Sequence, residues 1–192
     1  MPAEPKHELR LAIAHVLFID IVGYSKLLTE EQSEALQQLN ERVRSTRAFR
    51  DTEATHQLIC LPTGDGAALI FTSTAEAQME CAVQLSEALR SHPALRVRLG
   101  VHSGPVHEVA DVNQRTTAGT NMAQRIMDRG DAGHILVSQR VADDLAQYRR
   151  WQSCLHRVGQ CEVKHGVVVQ SQICSPRQQA IPNCPRNSLP RR

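Results

Sequence analysis

Short apolar runs alternate with longer amphipathic stretches along this chain. Residues 15–20, HVLFID, form a run suited to a buried central strand, and the run stops at Asp20. Beyond Ile21, Val22, Gly23, Tyr24 and Ser25 the pattern becomes helical, with Leu36, Leu39 and Val43 on one face and Ser25 as candidate cap. Residues 56–72 read as two short strands, HQLICLP and AALIFT, joined by TGDG, whose Gly and Asp tolerate the positive φ of a tight hairpin. The tetrapeptide STAE at 73–76 has the spacing of a capping box and opens a helix carrying Met79, Val83 and Leu89, which Pro93 ends. Residues 96–102, RVRLGVH, alternate as a half-buried strand does. A polar loop, DVNQRTTAGT, leads into the helical stretch NMAQRIMD. The run HILV is another short strand, Ser138 is placed to cap a helix holding Val141 and Leu145, and residues 154–174 supply one or two last strands.

The order is β-α-β-β-α-β followed by further elements. It predicts an α+β, ferredoxin-like core: a mainly antiparallel sheet with its helices packed on one face. The polar, proline-containing residues 1–12 are expected to be an arm and residues 13–174 the folded domain. Residues 175–192 hold four prolines and four arginines without apolar periodicity and are expected to be disordered.

Composition narrows the function classes. A length of 192 residues suits one domain with a self-sufficient core. Aromatics at 3% leave few platforms for stacking bases, and a net charge of +2 gives little field for a polyanion, so nucleic acid is disfavoured as a partner. Six cysteines without a C-x-x-C pair read as reduced thiols and point to a cytoplasmic protein. No apolar run has the length of a membrane segment, and the first residues lack the apolar centre of a secretion signal.

Three groups of residues could carry chemistry. Asp20 closes the first strand and Asp65 sits at the hairpin tip. If those strands are neighbours, both carboxylates leave one sheet edge, where they would suit hard cations such as Mg²⁺ or Mn²⁺. Either acid alone is ordinary turn or strand-end chemistry. Residues 21–25 offer successive backbone amides at a strand-to-helix turn, a weak sign of phosphate binding. Asn121 and Arg125, four apart on a helix, share a face and together could orient a sugar and neutralise a phosphoryl group; alone they describe an exposed polar face.

Taken in order, FIDIVGYSKL, LPTGDGAALIF, VRLGVHSGPV and NMAQRIMD resemble the class III adenylate and guanylate cyclase catalytic domain over about residues 13–173. The resemblance implies that Asp20 and Asp65 bind two divalent metal ions, Mg²⁺ or Mn²⁺, with the Ile21 carbonyl as a further ligand. It implies that the amides of Val22, Gly23, Tyr24 and Ser25 hold the β- and γ-phosphates. Asn121 then orients the ribose, Arg125 stabilises the transition state, and Lys164 contacts the triphosphate, although a residue intervenes between it and the usual glycine. The implied active sites lie between two catalytic domains, so a homodimer is expected. The implied reaction turns ATP or GTP into a 3′,5′-cyclic nucleotide and pyrophosphate, with ATP mildly preferred.

Two departures bear on the base. Of the two positions that read the purine in this family, the first, commonly Lys or Glu, falls at Leu61, which cannot hydrogen-bond a purine edge. The second lies in a stretch shorter than usual before Asn121, where Thr116 and Thr117 are the candidates. These departures also leave room for a GTP-using enzyme or for a catalytically silent module that only dimerises or binds nucleotide. A receiver-like domain would need paired acids at the first strand end and a parallel sheet. A diguanylate-forming relative would need a Gly-Gly-acidic signature, which TGDGA lacks. The histidines form no H-E-x-x-H helix and are read as packing or surface residues rather than zinc ligands, and Trp151 as a packing anchor.

Overall fold

The computed structural model describes residues 10–108, 118–163 and 167–174, with side chains over 13–105 and 121–157. The expected arm (most of residues 1–12) and tail (175–192) lie largely outside the described residues.

The chain runs β1 (Arg10–Ile21), α1 (Thr29–Ser45), α2 (Arg47–Ala54), β2 (Leu58–Pro62), β3 (Gly66–Phe71), α3 (Ala75–Leu89), β4 (Val97–Glu108), α4 (Ala118–Met127), β5 (Ile135–Ser138), α5 (Gln139–Leu145), α6 (Arg149–Gln152), β6 (Leu155–Val163) and β7 (Val167–Cys174). Seven strands make one sheet in the order β2-β3-β1-β4-β5-β7-β6. Every neighbouring pair is antiparallel except β4 with β5. This is the expected α+β architecture.

β1 is central, and its alternation feeds two cores. Leu17, Ile19 and Ile21 face a large cluster with Leu39 and Val43 of α1, Phe49 of α2 and Met79 and Leu85 of α3. Val16 and Phe18 point the other way, against Ala68 and Ile70 of β3 and Ala123 and Met127 of α4. The helices therefore do not all lie on one face, as their order alone suggests: α4 crosses to the opposite side of the sheet. Small residues permit this. A Cβ added at Gly100 of β4 would lie 2.3 Å from the Ala123 carbonyl oxygen and 2.7 Å from the Met127 Cβ. Helix and strand backbones are thus nearly in contact, and only glycine fits.

Local chemistry explains several boundaries. Ser25 does not cap α1; it sits in a short 3-10 turn, Tyr24–Lys26, and α1 starts at Thr29, where Glu31 accepts the Leu28 amide at 2.8 Å. Thr74, rather than Ser73, caps α3 by accepting from the Ala77 amide at 3.3 Å. That frees Glu76 to accept from Trp151 Nε1 at 3.0 Å and to pair with Arg150, tying α3 to α6 around the buried Trp151. Ser138 caps α5 as its position suggests. Cys60 and Cys81 are free thiols, and Cys154 Sγ donates to the Trp151 carbonyl at 3.1 Å. No described helix is long and apolar enough to cross a membrane.

Candidate active site

Asp20 lies one residue from the end of β1, on the face shared with Phe18, and is only 5% exposed. Its register partners are Gly66 at the start of β3 and Arg98 on β4. The hairpin tip folds back on it. Gly64 adopts φ 89°, a left-handed conformation that glycine reaches without steric cost, and the turn closes with the Thr63 amide on the Gly66 carbonyl at 3.2 Å. The Ile21 amide then donates to the Asp65 carbonyl at 2.9 Å. The Asp65 carboxyl lies near enough to Asp20 to act on its titration.

Burial pushes the Asp20 carboxyl above the ordinary range; the Arg98 guanidinium opposes this, and the neighbouring Asp65 reinforces it. Arg98 donates to Asp20 Oδ2 through Nε at 3.0 Å and also through Nη2. Sequence reasoning missed Arg98. Alternation along β4 placed it on a polar side that reads as solvent-facing, whereas the β1–β4 register sets it against a buried acid. Removing one partner of a buried pair commonly costs roughly 3–5 kcal/mol, and the partial exposure of Arg98 puts this pair toward the low end.

The turn beyond β1 narrows the amides open to an anion. Val22 donates its amide to the Arg96 carbonyl at 2.8 Å, so that group is occupied. The amides of Gly23, Tyr24 and Ser25 have no hydrogen-bond partner among the described residues. Gln32 of α1 braces this turn by donating to the carbonyls of Leu27 at 3.0 Å and Tyr24 at 3.3 Å. Tyr24 packs against the larger core, while Gly23 and Ser25 are exposed.

Asn121 and Arg125 occupy the outer side of α4, exposed and half-buried respectively, while Ala123, Ile126 and Met127 face the sheet. Neither makes a hydrogen bond or ion pair with Asp20 or Asp65 of the same chain. Leu61 of β2 packs against the smaller core beside Ile59. Thr116, Thr117 and Lys164 lie outside the described residues.

The donor set suits a hard divalent ion. Such ions are commonly held by one or two carboxylates, with substrate phosphates and water completing the shell. Asp20 and Asp65 are a pair of the kind such an ion would need; among the described residues no group of three or more His, Cys, Asp or Glu could hold a metal ion.

The sequence model described as "Adenylate and Guanylate cyclase catalytic domain" matches residues 10–174. No curated protein matches the chain by sequence. Among solved structures, the guanylate cyclase domain of RhGC from Catenaria anguillulae, in complex with GTP, is similar at TM-score 0.68 and 19% identity, covering 88% of this chain and 100% of that one. The adenylate/guanylate cyclase/hydrolase from Silicibacter pomeroyi gives TM-score 0.67 at 20% identity, with 88% and 100% covered. The adenylyl cyclase CyaB from P. aeruginosa gives 0.66 at 18% identity, with 89% and 98% covered. At these identities the likeness to solved structures speaks for the fold. The sequence match spans the domain from the first residue of β1 to the last of β7, and the chain belongs to the adenylate and guanylate cyclase catalytic domain family.

Proposed function

We propose that this chain is an active nucleotide cyclase, converting a nucleoside triphosphate to its 3′,5′-cyclic nucleotide and pyrophosphate in the cytoplasm. The observation that supports the reading is the backbone bond from the Ile21 amide to the Asp65 carbonyl, which sets the hairpin tip against the strand end that carries Asp20 and leads into the open amides of Gly23, Tyr24 and Ser25. Asp20, Asp65 and the Ile21 carbonyl would hold two divalent ions, Mg²⁺ or Mn²⁺. When bound, these ions supply a lowered pKa for the ribose 3′-hydroxyl and charge neutralisation on the leaving group.

The chain's own residues then have separate tasks. The amides of Gly23, Tyr24 and Ser25 hold the β- and γ-phosphates in line, and Lys164 adds charge to them. Asn121 orients the ribose so that its 3′-oxygen faces the α-phosphorus. As the new bond forms, the 3′-hydroxyl proton passes to water, the bond from the α-phosphorus to the oxygen bridging to the β-phosphorus breaks, and pyrophosphate leaves. Arg125 stabilises the negative charge that gathers on the α-phosphoryl oxygens. Asn121 and Arg125 make no bond to Asp20 or Asp65 of the same chain and stand on the outer side of α4. That arrangement supports a homodimer in which each site takes its acids from one protomer and its α4 residues from the other.

ATP is proposed as the somewhat better substrate, with GTP also accepted. Leu61 offers no hydrogen bond to a purine edge, and purine discrimination depends on buried polar groups left unpaired by the wrong base. A product assay with ATP and GTP offered separately, with Mn²⁺ or Mg²⁺, over protein concentrations that span dimer formation, tests the whole reading. Cyclic nucleotide formation that rises with dimer fraction and disappears in Asp65→Ala supports it. Nucleotide binding or dimerisation without turnover would mean a catalytically silent module.

A further inference from the structure

Away from the acidic end of β1, three polar side chains meet where the sheet packs on α3. His15 of β1 and Ser103 of β4 are register partners, and His15 Nδ1 lies 2.7 Å from Ser103 Oγ. Gln78 of α3 donates from Nε2 to the same Oγ at 2.9 Å. Gln78 and Ser103 are 0% and 1% exposed, whereas His15 is half-buried, so the chain of bonds meets solvent only at the ring.

The directions of these bonds are tied to one another. A hydroxyl has one proton to give. Because Ser103 Oγ accepts from Gln78, its own proton goes to His15 Nδ1, and a neutral ring then carries its proton on Nε2. Gln78 Oε1, the other end of the amide, is buried without a hydrogen-bond partner among the described residues. A charged ring inverts the order. Nδ1 becomes a donor, Oγ accepts from it, and the Ser103 proton needs a new acceptor. Gln78 Oε1 is the acceptor at hand, reached when the amide turns over.

We infer that His15, Ser103 and Gln78 form a proton-driven switch between the sheet and α3, with its hydrogen bonds running toward His15 when the ring is neutral and toward Gln78 when it is charged. The reversed state gives Gln78 Oε1 a partner but leaves the amide N–H groups buried without one. Unpaired buried donors are costly, so a proton taken up from water at His15 weakens the seam between α3 and β4. The charged groups that act on the ring are both exposed on α5: Asp144 favours the proton and Arg140 opposes it. On the other sides β3 sets Phe71 opposite His15 and α3 brings Gln78, neither of them charged. Burial opposes the charged ring most strongly, so the change falls below pH 6.5.

Proton–nitrogen NMR on the isotope-labelled whole chain, from pH 7.5 to 5.5, tests the switch. At pH 7.5 the His15 ring should show the Nε2–H tautomer. On acidification the Gln78 side-chain amide signals should move with the same midpoint as the ring. In Ser103→Ala the ring should still titrate while the Gln78 signals lose their response. His15→Gln has no ring to charge and should also abolish that response, and it carries the test if Ser103→Ala fails to fold. Asp144→Asn should lower the midpoint of the ring, and Arg140→Gln should raise it. An Nδ1–H tautomer at pH 7.5 overturns the inference. So do Gln78 signals that hold still while the ring titrates, or a ring that stays neutral down to the pH of unfolding.

Discussion

Ile21 donates its amide to the carbonyl of Asp65 at 2.9 Å, and the next amide, that of Val22, reaches the Arg96 carbonyl at 2.8 Å. The end of β1 is thus stitched on one side to the hairpin tip and on the other to the residue preceding β4. These backbone bonds bring two acidic side chains together despite their mutual repulsion. The cost is offset by the sheet registers on either side of β1 and by the Arg98 guanidinium.

A site shared between protomers makes a prediction that a self-contained site does not. Asp20→Asn and Arg125→Ala should each be nearly inactive as pure proteins. The loss for Arg125→Ala should be about 10²–10³-fold in kcat, the range seen when one preorganised charge-stabilising donor is removed. Mixing the two should restore activity, because half of randomly exchanged dimers are mixed and each mixed dimer keeps one intact site. The expected yield is about a quarter of wild-type activity, set by the two-fold symmetry of the assembly. Cyclic nucleotide formation by the mixture, compared with the sum of the separate variants, decides the matter. No gain on mixing would place the site within one chain.

Much of this geometry was legible in the sequence, and the reasons differ by element. HVLFID read as a buried strand and TGDG as a tight turn, so the places of Asp20 and Asp65 in the fold followed from local patterns. The crossing of α4 to the far side of the sheet did not, because it depends on the close fit of Ala123 and Met127 over Gly100, a long-range contact. Arg98 was hidden for a similar reason. A charged residue in an alternating strand looks solvated until the register supplies its partner. The short helix α2 lies in RAFRDTEA, where buried Ala48, Phe49 and Thr52 face the core in a stretch too brief to show a clear period.

Gly100→Ala tests that fit. The added methyl group would sit 2.3 Å from a backbone oxygen of α4, and a carbonyl held in a helix cannot move as a flexible side chain can. Overpacking of this kind costs about 1–3 kcal/mol, or a melting temperature lower by roughly 2–12 °C for a domain of this size. Cyclase activity measured well below that temperature should fall further than the fraction folded, since α4 carries Asn121 and Arg125. A melting temperature equal to wild type would show that α4 and β4 are farther apart than described.

Leu61 sets the expected base preference. It packs with Ile59 on the apolar face beside Phe18 and Ala68, so if position 61 reads the base, as proposed, it offers the purine only hydrocarbon. The ratio of kcat/KM for ATP over GTP should lie within about tenfold of unity, the discrimination available to a pocket without a base-specific hydrogen bond. Leu61→Glu should shift the ratio toward GTP by offering an acceptor to the guanine N–H groups, and Leu61→Lys should shift it toward ATP. Competition assays with both nucleotides present read the ratio directly. A strong wild-type preference that neither change moves would put base selection elsewhere in the chain.

Acid should loosen the fold before it protonates the ordinary carboxylates, and the histidines determine why. Burial, helped by the Arg140 charge, lowers the pKa of His102 to about 4, and its Nδ1 has no hydrogen-bond partner. His134 is buried, accepts the Asp131 amide on Nδ1 at 3.0 Å, and is shifted downward by burial against the opposing pull of Asp131. His15 is also lowered, chiefly by burial. All three bind protons near pH 6.5 once unfolded and less readily when folded, His102 least of all. The unfolded chain therefore takes up more protons between about pH 6.5 and 4, and stability falls as pH falls through that window. The raised Asp20 carboxyl has the opposite sign: it favours the folded protein as pH drops toward its own range, and so softens the decline. Urea midpoints measured from pH 7.5 to 5 should decrease steadily for wild type and less steeply for His102→Gln, whose side chain has no proton to gain. A midpoint that holds constant over that interval would mean the histidines are better solvated, or better paired, than their burial implies.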